Sequence, residues 1–469
     1  MDAQEFRKHA HQAVEDIVNY MENLNERPVL SQVRPGYLRD LIPSEAPKEP
    51  EDFDLVMKEF HEKIMPGITH WQSGKFMAYF PSGFSYPSVL GEMYNAMVAV
   101  IGFNWINSPA VTELEHVMMD WWVRLLGLGD GFLSTGKGGG VIQNSATDSL
   151  IVCMAAATKR QIHALASDED VDTSVLRAKM VIYGSDQTHS GTAKAARLLG
   201  YIHRVVPTDD SCVLKGSVLK AVMDRDVQKG LIPLLITATI GTTGFGSMDD
   251  LPSIVEAAKS HGVWVHVDAA YAGNAMVCPE FRHLQQGVEQ VDSYIFNPHK
   301  WLLLHFDCTC LFLKDTAAVT DALTVRPYYL RYHEHDQGLV EDFSDYQVSL
   351  GRRFRSLKVW FTLRSYGESG LQQYVRNHYR LINRLEAAFR ADRRFEILNP
   401  VHLPLICFRL TPALFNIINQ SGIFISKADI HGQVILRVCI GTFNSTDETT
   451  DFSWNVIRQS ADKLLMASS

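Results

Sequence analysis

Five short apolar runs, KMVIYG, LLITATIG, VWVHVDAA, SYIFN and CTCLFLK, follow one another between residues 179 and 314. They are rich in β-branched residues, and several are apolar throughout instead of alternating, the pattern of strands covered on both faces. Helical segments such as DDLPSIVEAAKSHG separate most of them. Strands joined by helical crossovers pair in parallel, so this order predicts an α/β unit with a largely parallel sheet over approximately residues 90–320.

One run continues into an anomaly. In IFNPHKWLLLHF, Lys300 interrupts an otherwise apolar stretch. Burying lysine is unfavourable unless the amine is paired or put to chemical use. Either Lys300 is a surface residue on a Pro-led turn, or its surroundings make the amine a nucleophile. In open α/β sheets, ligands bind just beyond the carboxyl ends of the strands. Those ends collect Asp268 after VWVHV, Asn297, His299 and Lys300 after SYIF, His189 after MVIYGSDQT, and Gly241, Thr242 and Thr243 after LLITATI. Singly, each has a plain alternative: Asp268 a helix cap, His189 a satisfied loop histidine, the threonines a turn. Jointly they place an amine, an acid, an imidazole and hydroxyls on one rim.

The stretch GKGGGVIQNSATDSLIVCMAAATKR adds a Gly-rich loop running into a helix, with Ser145 and Thr147 near its start. Free backbone N–H groups and the helix dipole favour a phosphate there. The glycine spacing matches neither a P-loop nor the dinucleotide fingerprint. A phosphate cup, an acid, a stacking imidazole and a reactive lysine together describe pyridoxal 5′-phosphate. The lysine forms the Schiff base, the acid keeps the pyridine nitrogen protonated, and the ring is the electron sink. Desolvation and the cationic ring would depress the lysine pKa and make the amine nucleophilic.

The chain's 469 residues, 46% hydrophobic and 21% charged, are ordinary for a globular protein and long enough to build a core without disulfides. Its formal net charge of −9, from 44 basic and 53 acidic residues, argues against a nucleic-acid or anionic-membrane surface. The seven cysteines are scattered and form no CxxC pair, so they read as reduced core residues. Cys308 and Cys310 alternate along a strand, which argues against a metal site. MDAQEFRKHA lacks the basic start and apolar core of a signal peptide, and no apolar run has the length of a membrane span. A cytoplasmic location is expected.

Phe6, Ala10, Val14, Ile17, Met21 and Leu24 recur at steps of three and four, predicting an amphipathic helix. It must dock on the body of the protein or on a second copy, because the Pro- and acid-rich IPSEAPKEPEDF that follows should be extended. SPAVTELEHVMMDWWVRLLG predicts a helix with Ser108 at its N-cap and Pro109 in its first turn. Helices in SLKVWFTLRSYG and YRLINRLEAAFRAD lead to a smaller α+β tail containing LICFRLT and GQVILRVCIG.

NPHKW, HVDAAYAG, DQTHSG, GGGVIQNSAT and SLGRRFRSLKVWF resemble the group II pyridoxal-phosphate decarboxylases. Within that family the similarity is closest to aromatic L-amino-acid decarboxylases, which FMAYFPSGFSYPSVLGEMYNAMVAVIGFNWINSPAVTELE and CPEFRHL also match. The resemblance implies an aspartate-aminotransferase-like, fold type I homodimer with a mostly parallel seven-stranded sheet. Residues 1–85 would be a helical segment wrapping the partner, 86–365 the cofactor-binding α/β domain, and 366–469 a small α+β domain. It further implies that Lys300 carries pyridoxal phosphate, Asp268 pairs with the pyridinium nitrogen and His189 stacks on the ring. Ser145, Ala146, Thr147 and Asn297 would hold the cofactor, chiefly its phosphate. Thr243 would lie near the ring, Ala270 would join the cofactor-binding set, and His299 would line the site.

The implied reaction is decarboxylation of an aromatic L-amino acid to the arylalkylamine and CO₂. Trp71, Phe80, Ser82 and Phe103 match positions lining the family's side-chain pocket, with Phe103 a candidate for contribution by the other subunit. Gly351 stands where histidine-selective and many tyrosine-selective relatives carry Ser, which leaves room for an indole or a catechol. Tyr329 lies in VRPYYLRYHEHDQGLVEDF, a polar, aromatic-bearing stretch with the character of a mobile lid, and matches the family's catalytic-loop tyrosine. In related aldehyde synthases that tyrosine is typically Phe, or the stacking histidine is Asn. This chain keeps Tyr329 and His189, so amine formation is expected over oxidative decarboxylation and deamination to an aromatic acetaldehyde. An aminotransferase and a non-catalytic scaffold are the remaining rivals. Ser82 and the pair Gly83-Phe84 depart from the animal pattern and leave the ring preference open. The cluster Arg352, Arg353 and Arg355 reads equally as an anion site or as structure.

Overall fold

A computed structural model describes residues 1–165, 172–325, 327–409 and 412–468. All five apolar runs become strands of one seven-stranded sheet. Its strands are β1 (Gly139–Gln143), β2 (Met180–Ser185), β3 (Ile202–Val206), β4 (Ile232–Thr239), β5 (Trp264–Asp268), β6 (Ser293–Phe296) and β7 (Thr309–Leu313). Their spatial order is β1-β7-β6-β5-β4-β2-β3, with β7 antiparallel to both neighbours and the remaining pairs parallel. Strands β2, β5, β6 and β7 are buried at every residue, as their unbroken apolar character requires.

Two strands depart from the expectation. GGVIQ, predicted as part of a Gly-rich loop, is the edge strand β1. Its glycines mark close approach: a Cβ on Gly140 would lie 2.5 Å from Met119 Cε and 3.0 Å from the Phe312 ring. IHRVV is the opposite edge, β3, whose partial exposure tolerates His203 and Arg204 and blurs the apolar signal.

Helix α1 (Ala3–Glu22) starts on a capping box in which Asp2 and Glu5 satisfy each other's backbone N–H groups. Met21 and Leu24 bury against Phe84, while Phe6 and Val14 on the same stripe stay exposed. Helix α2 (Tyr86–Val98) also presents Leu90, Met93, Tyr94 and Met97 to solvent. Helix α3 (Pro109–Leu126) begins with Pro109 as predicted, although Ser108 makes no side-chain cap bond, and ends at Gly127 in the left-handed region (φ 68°). Its Trp122 is buried edge-on to Phe296, 5.2 Å between ring centres, beneath the sheet. Truncating such a residue to Ala costs about 3–5 kcal/mol.

Helices α4 (Ala146–Leu165) and α5 (Ser190–Leu199) follow β1 and β2, and the single turn α6 (Pro298–Trp301) follows β6. The two predicted basic helices are one element, α7 (Arg355–Ala391), kinked at Gly367 (φ 63°). The chain ends in a four-stranded antiparallel sheet ordered β10-β11-β9-β8 and helix α8 (Asp447–Ser468). Its strands are β8 (Glu396–Ile397), β9 (Leu405–Arg409), β10 (Ser426–Ile430) and β11 (Gln433–Cys439). The last residues of the predicted LICFRLT run, Leu410 and Thr411, lie outside the described residues, as does Arg326 of the VRPYYL stretch.

The segment before α2 is stitched to this second sheet. Phe424 N–H donates to Lys75 O (3.1 Å), Met77 N–H to Phe424 O (2.8 Å) and Cys439 N–H to Met77 O (2.9 Å). Among the described residues, no helix is long and apolar enough to cross a membrane.

Candidate active site

Strand β5 delivers Asp268 and strand β6 delivers Asn297, side by side at the carboxyl end of the sheet. Asn297 N–H donates to Ala270 O (3.0 Å), and Lys300 N–H donates to Asn297 O (2.9 Å), so the lysine turn is tied to the residues after Asp268. The buried Asp268 carboxylate accepts the Ala270 N–H at 3.0 Å. Lys300 Nζ lies 5.4 Å from the centre of the Phe80 ring. That ring stacks on Tyr271 at 3.9 Å, and Tyr271 stacks on Trp301 at 5.2 Å.

Burial pushes the Lys300 amine below the usual lysine range, and the Asp268 charge opposes that shift. Of the two readings of Lys300, the nucleophile fits this setting and the surface turn does not. His299 is buried, with Nδ1 held 2.6 Å from Cys308 O and 3.0 Å from Cys308 N. Burial lowers its pKa to about 4, against the Cys308 hydrogen bond, so the ring is neutral at physiological pH.

The starts of α4 and α5 supply the rest of the rim. Ser145 Oγ accepts the Asp148 N–H (3.1 Å) and caps α4, with Ala146 and Thr147 in its first turn. The loop leading to it is Asn144-Ser145, after a strand, and not the longer Gly-rich loop predicted. His189 caps α5 through Nδ1, which accepts the Gly191 N–H (3.1 Å), while its ring is exposed. A Cβ on Gly191 would sit 3.0 Å from Thr147 Oγ1 and 3.1 Å from His189 Nδ1, so glycine lets these two side chains approach. The threonine pair divides. Thr242 is buried and accepts the Ser247 N–H (3.0 Å) as a turn residue, and Thr243 is exposed.

The predicted pocket residues fall into two groups. Phe80 is packed against Lys300. Ser82 is nearby in sequence, its carbonyl taking the Gln72 amide (2.5 Å), and Trp71 is 41% exposed and stacked on Tyr79 at 5.7 Å. Gly83, one of the unusual residues, is required: its N–H donates to His299 O (2.5 Å), and a Cβ there would lie 2.4 Å from Leu304 O. The second group is tied to other elements. Phe103 O accepts the Ser344 N–H (2.9 Å), Gly102 N–H donates to Arg352 O (3.2 Å), and Gly351 lies beside Ile101. Tyr329 is on the short turn Tyr328–Leu330 and is 79% exposed.

Arg437 on β11 was not anticipated. It is 3% exposed, donates from Nη1 to Ser426 Oγ (2.8 Å), and lies 5.4 Å from the same Phe80 ring. Its Nε and Nη2 are buried without partners, as is Asn297 Oδ1. The signal was present in GQVILRVCIG, a charge inside an apolar run like that at Lys300. Each unpaired buried group costs roughly 1–3 kcal/mol, so this cleft is built for a polar occupant. Among the described residues, no three His, Cys, Asp or Glu side chains are gathered as metal ligands.

Residues 35–411 match the pyridoxal-dependent decarboxylase conserved domain. Aromatic-L-amino-acid decarboxylase of Rattus norvegicus is 41% identical over 477 residues, spanning 100% of this chain and 99% of its own. Phenylacetaldehyde synthase of Arabidopsis thaliana is 41% identical over 485 residues, 99% of this chain and 97% of its own. The crystal structure of Catharanthus roseus tryptophan decarboxylase in complex with L-tryptophan superposes with a TM-score of 0.93 at 40% identity, covering 99% of both chains.

Pyridoxal phosphate fits the residues present. A desolvated amine can take its aldehyde, a buried carboxylate its ring nitrogen, and a helix start its phosphate, while unpaired donors remain for a substrate. The fold, the rim and the match over residues 35–411 agree: the chain belongs to the pyridoxal-dependent decarboxylase family and uses pyridoxal phosphate.

Proposed function

We propose that this protein decarboxylates an aromatic L-amino acid, releasing CO₂ and the corresponding arylalkylamine. The observation that carries the reading is the desolvated Lys300 amine on the Phe80 ring, with Asp268 at hand and the half-paired Arg437 guanidinium on the same ring. The similarity to the rat aromatic-L-amino-acid decarboxylase and the Catharanthus tryptophan decarboxylase supports it.

Bound pyridoxal phosphate supplies the electron sink that accepts the pair left on Cα when CO₂ departs. Lys300 would anchor it, Asp268 would pair with its ring nitrogen, and His189 would stack on the ring. Ser145, Ala146, Thr147 and Asn297 would hold it, chiefly by its phosphate, with Thr243 near the ring and Ala270 and His299 lining the site. Arg437 grips the substrate α-carboxylate through Nε and Nη2, a charge-assisted pair that orients the bond to be broken. Trp71, Phe80 and Ser82 receive the aromatic ring. Tyr329 closes over the cleft and protonates Cα.

Gly351 and Tyr329 complete the side-chain pocket and its lid, and Phe103 reaches the cleft from a second copy of the chain. The exposed apolar faces of α1 and α2 support a homodimer, since patches of that extent on a soluble protein mark an interface. The division into residues 1–85, 86–365 and 366–469 is supported by the two separate sheets and the Gly367 kink. Seven buried free cysteines support a reducing, cytoplasmic setting.

Incubation with a panel of aromatic L-amino acids, with products identified by mass, tests the reading. Amine and CO₂ in equal amounts are expected. Aldehyde with peroxide and ammonia would overturn it in favour of the oxidative reaction, which the presence of both Tyr329 and His189 disfavours.

A further inference from the structure

The basic cluster Arg352, Arg353 and Arg355 is neutralised from inside the chain, in three different ways. Arg352 pairs with Glu115, both side chains fully buried, and its guanidinium lies 4.6 Å over Phe343. Arg353, half exposed, pairs with Glu92 and reaches Asp307 at 3.4 Å. Arg355 alone spans two loops of the site. It is 6% exposed; Nη2 donates to Asn144 Oδ1 and to Asp307 Oδ2 (2.8 Å), and Nε donates to the same Asp307 oxygen (3.2 Å).

What those two loops hold gives the contact its meaning. Asn144 immediately precedes Ser145, the cap of α4. Asp307 immediately precedes Cys308, whose backbone lies against Nδ1 of His299, the neighbour of Lys300. Arg355 and Lys358 keep the Asp307 carboxyl below its usual range against burial, so the clamp is charge-assisted. We infer that Arg355 is a positioning residue that sets the separation between the phosphate-binding start of α4 and the lysine turn. This rests on the cofactor placement proposed above. A planar guanidinium can hold both partners at fixed angles; an ammonium acts as a point charge and cannot reproduce that fork.

The test measures binding of pyridoxal phosphate and of phosphate-free pyridoxal to the full-length, cofactor-stripped protein, with kcat and KM of the reloaded enzyme alongside. Arg355→Gln should weaken pyridoxal phosphate by about 10–100-fold, as outer-shell partners of a bound group typically do, and pyridoxal by less than about twofold. Arg355→Lys should recover only part of the loss. Arg353→Gln, which removes a neighbouring cation that meets Asp307 only at 3.4 Å and does not reach Asn144, should change both affinities by less than about twofold. Asn144→Ala cuts one arm while sparing the Arg355–Asp307 pair, so it reports even if Arg355→Gln folds poorly, and it should show the same selective loss. Equal weakening of both ligands, or of neither, would overturn the assignment. Failure of the cofactor reading itself would look different: unsubstituted protein would form no borohydride-stable link at Lys300.

Discussion

Lys300 and Tyr329 are both proposed to serve the same reaction, one by anchoring the cofactor and the other by protonating Cα, and the chain treats them in opposite ways. Lys300 stands on a turn bonded to Asn297 and through it to Ala270, its amine over a ring backed by two more aromatic residues. Tyr329 stands on a three-residue turn with Tyr328 and Val325 exposed beside it, at 88% and 79%. The difference teaches which part of the chemistry must be prepared in advance. A nucleophile needs low dielectric and fixed geometry before the cofactor arrives. A proton donor that acts after substrate entry must first leave the way open, and it becomes ordered only when the cleft is covered.

The comparison breaks most severely at Lys300. Lys300→Ala should bind pyridoxal phosphate without a borohydride-stable link and lose turnover by at least about a thousandfold. Full activity in that variant would remove the rim from the mechanism. Tyr329→Phe should cut amine formation by about 10²–10³-fold and divert product to aldehyde, with no change in melting temperature because the side chain is exposed. Unchanged amine output by mass spectrometry would place the proton donor elsewhere. Arg437→Gln should lower kcat/KM by about a hundredfold, a charge-assisted grip being worth roughly 1.5–3 kcal/mol, while binding of cofactor alone is retained. Equal loss of cofactor binding would make Arg437 a structural residue.

The smallest effect concerns the rim's stability. Burial depresses His299, and also His305, which follows the lysine turn with Nδ1 2.9 Å from Ser88 Oγ, to about 4, below their unfolded value of about 6.5. As pH falls, the unfolded chain takes up protons first. Their contribution is therefore complete above about pH 6.5 and is lost toward pH 4, about 2 kcal/mol per histidine at pH 5. Denaturant melts at pH 7 and pH 5 should show this loss, reduced in His305→Gln. A loss undiminished in that variant would assign the acid sensitivity to other groups. Substituting Tyr328, on the exposed turn, should leave the pH dependence unaltered.

The rim was largely legible in the sequence, and the exposed turn only in part. Strands covered on both faces announce themselves by unbroken apolar runs, and the strand-end rule then collects Asp268, Asn297, His299 and Lys300. Edge strands β1 and β3 escaped because one is built of close-packing glycines and the other carries polar residues toward solvent. Arg437 escaped because its partner ring, Phe80, lies more than three hundred residues earlier in the chain. The arginine cluster showed only its charge, since Glu115, Glu92, Asp307 and Asn144 come from four distant segments. Tyr329 was legible only through its motif, since its turn is exposed and no periodicity sets where the side chain points.

The stitching of residues 75–79 to the second sheet has an evolutionary corollary. Phe80 and Arg437 are remote in sequence yet ride on one mechanical body, joined through Met77, Phe424 and Cys439. Transplanting the C-terminal third from a relative with another ring preference would therefore carry Arg437 and its proposed carboxylate grip with it, while misaligning the Phe80 ring left behind. Substrate preference in this scaffold should be inherited as a two-piece cassette, the stretch around residues 71–84 together with β9–β11, and chimeras that split the two should bind ring and carboxylate out of register.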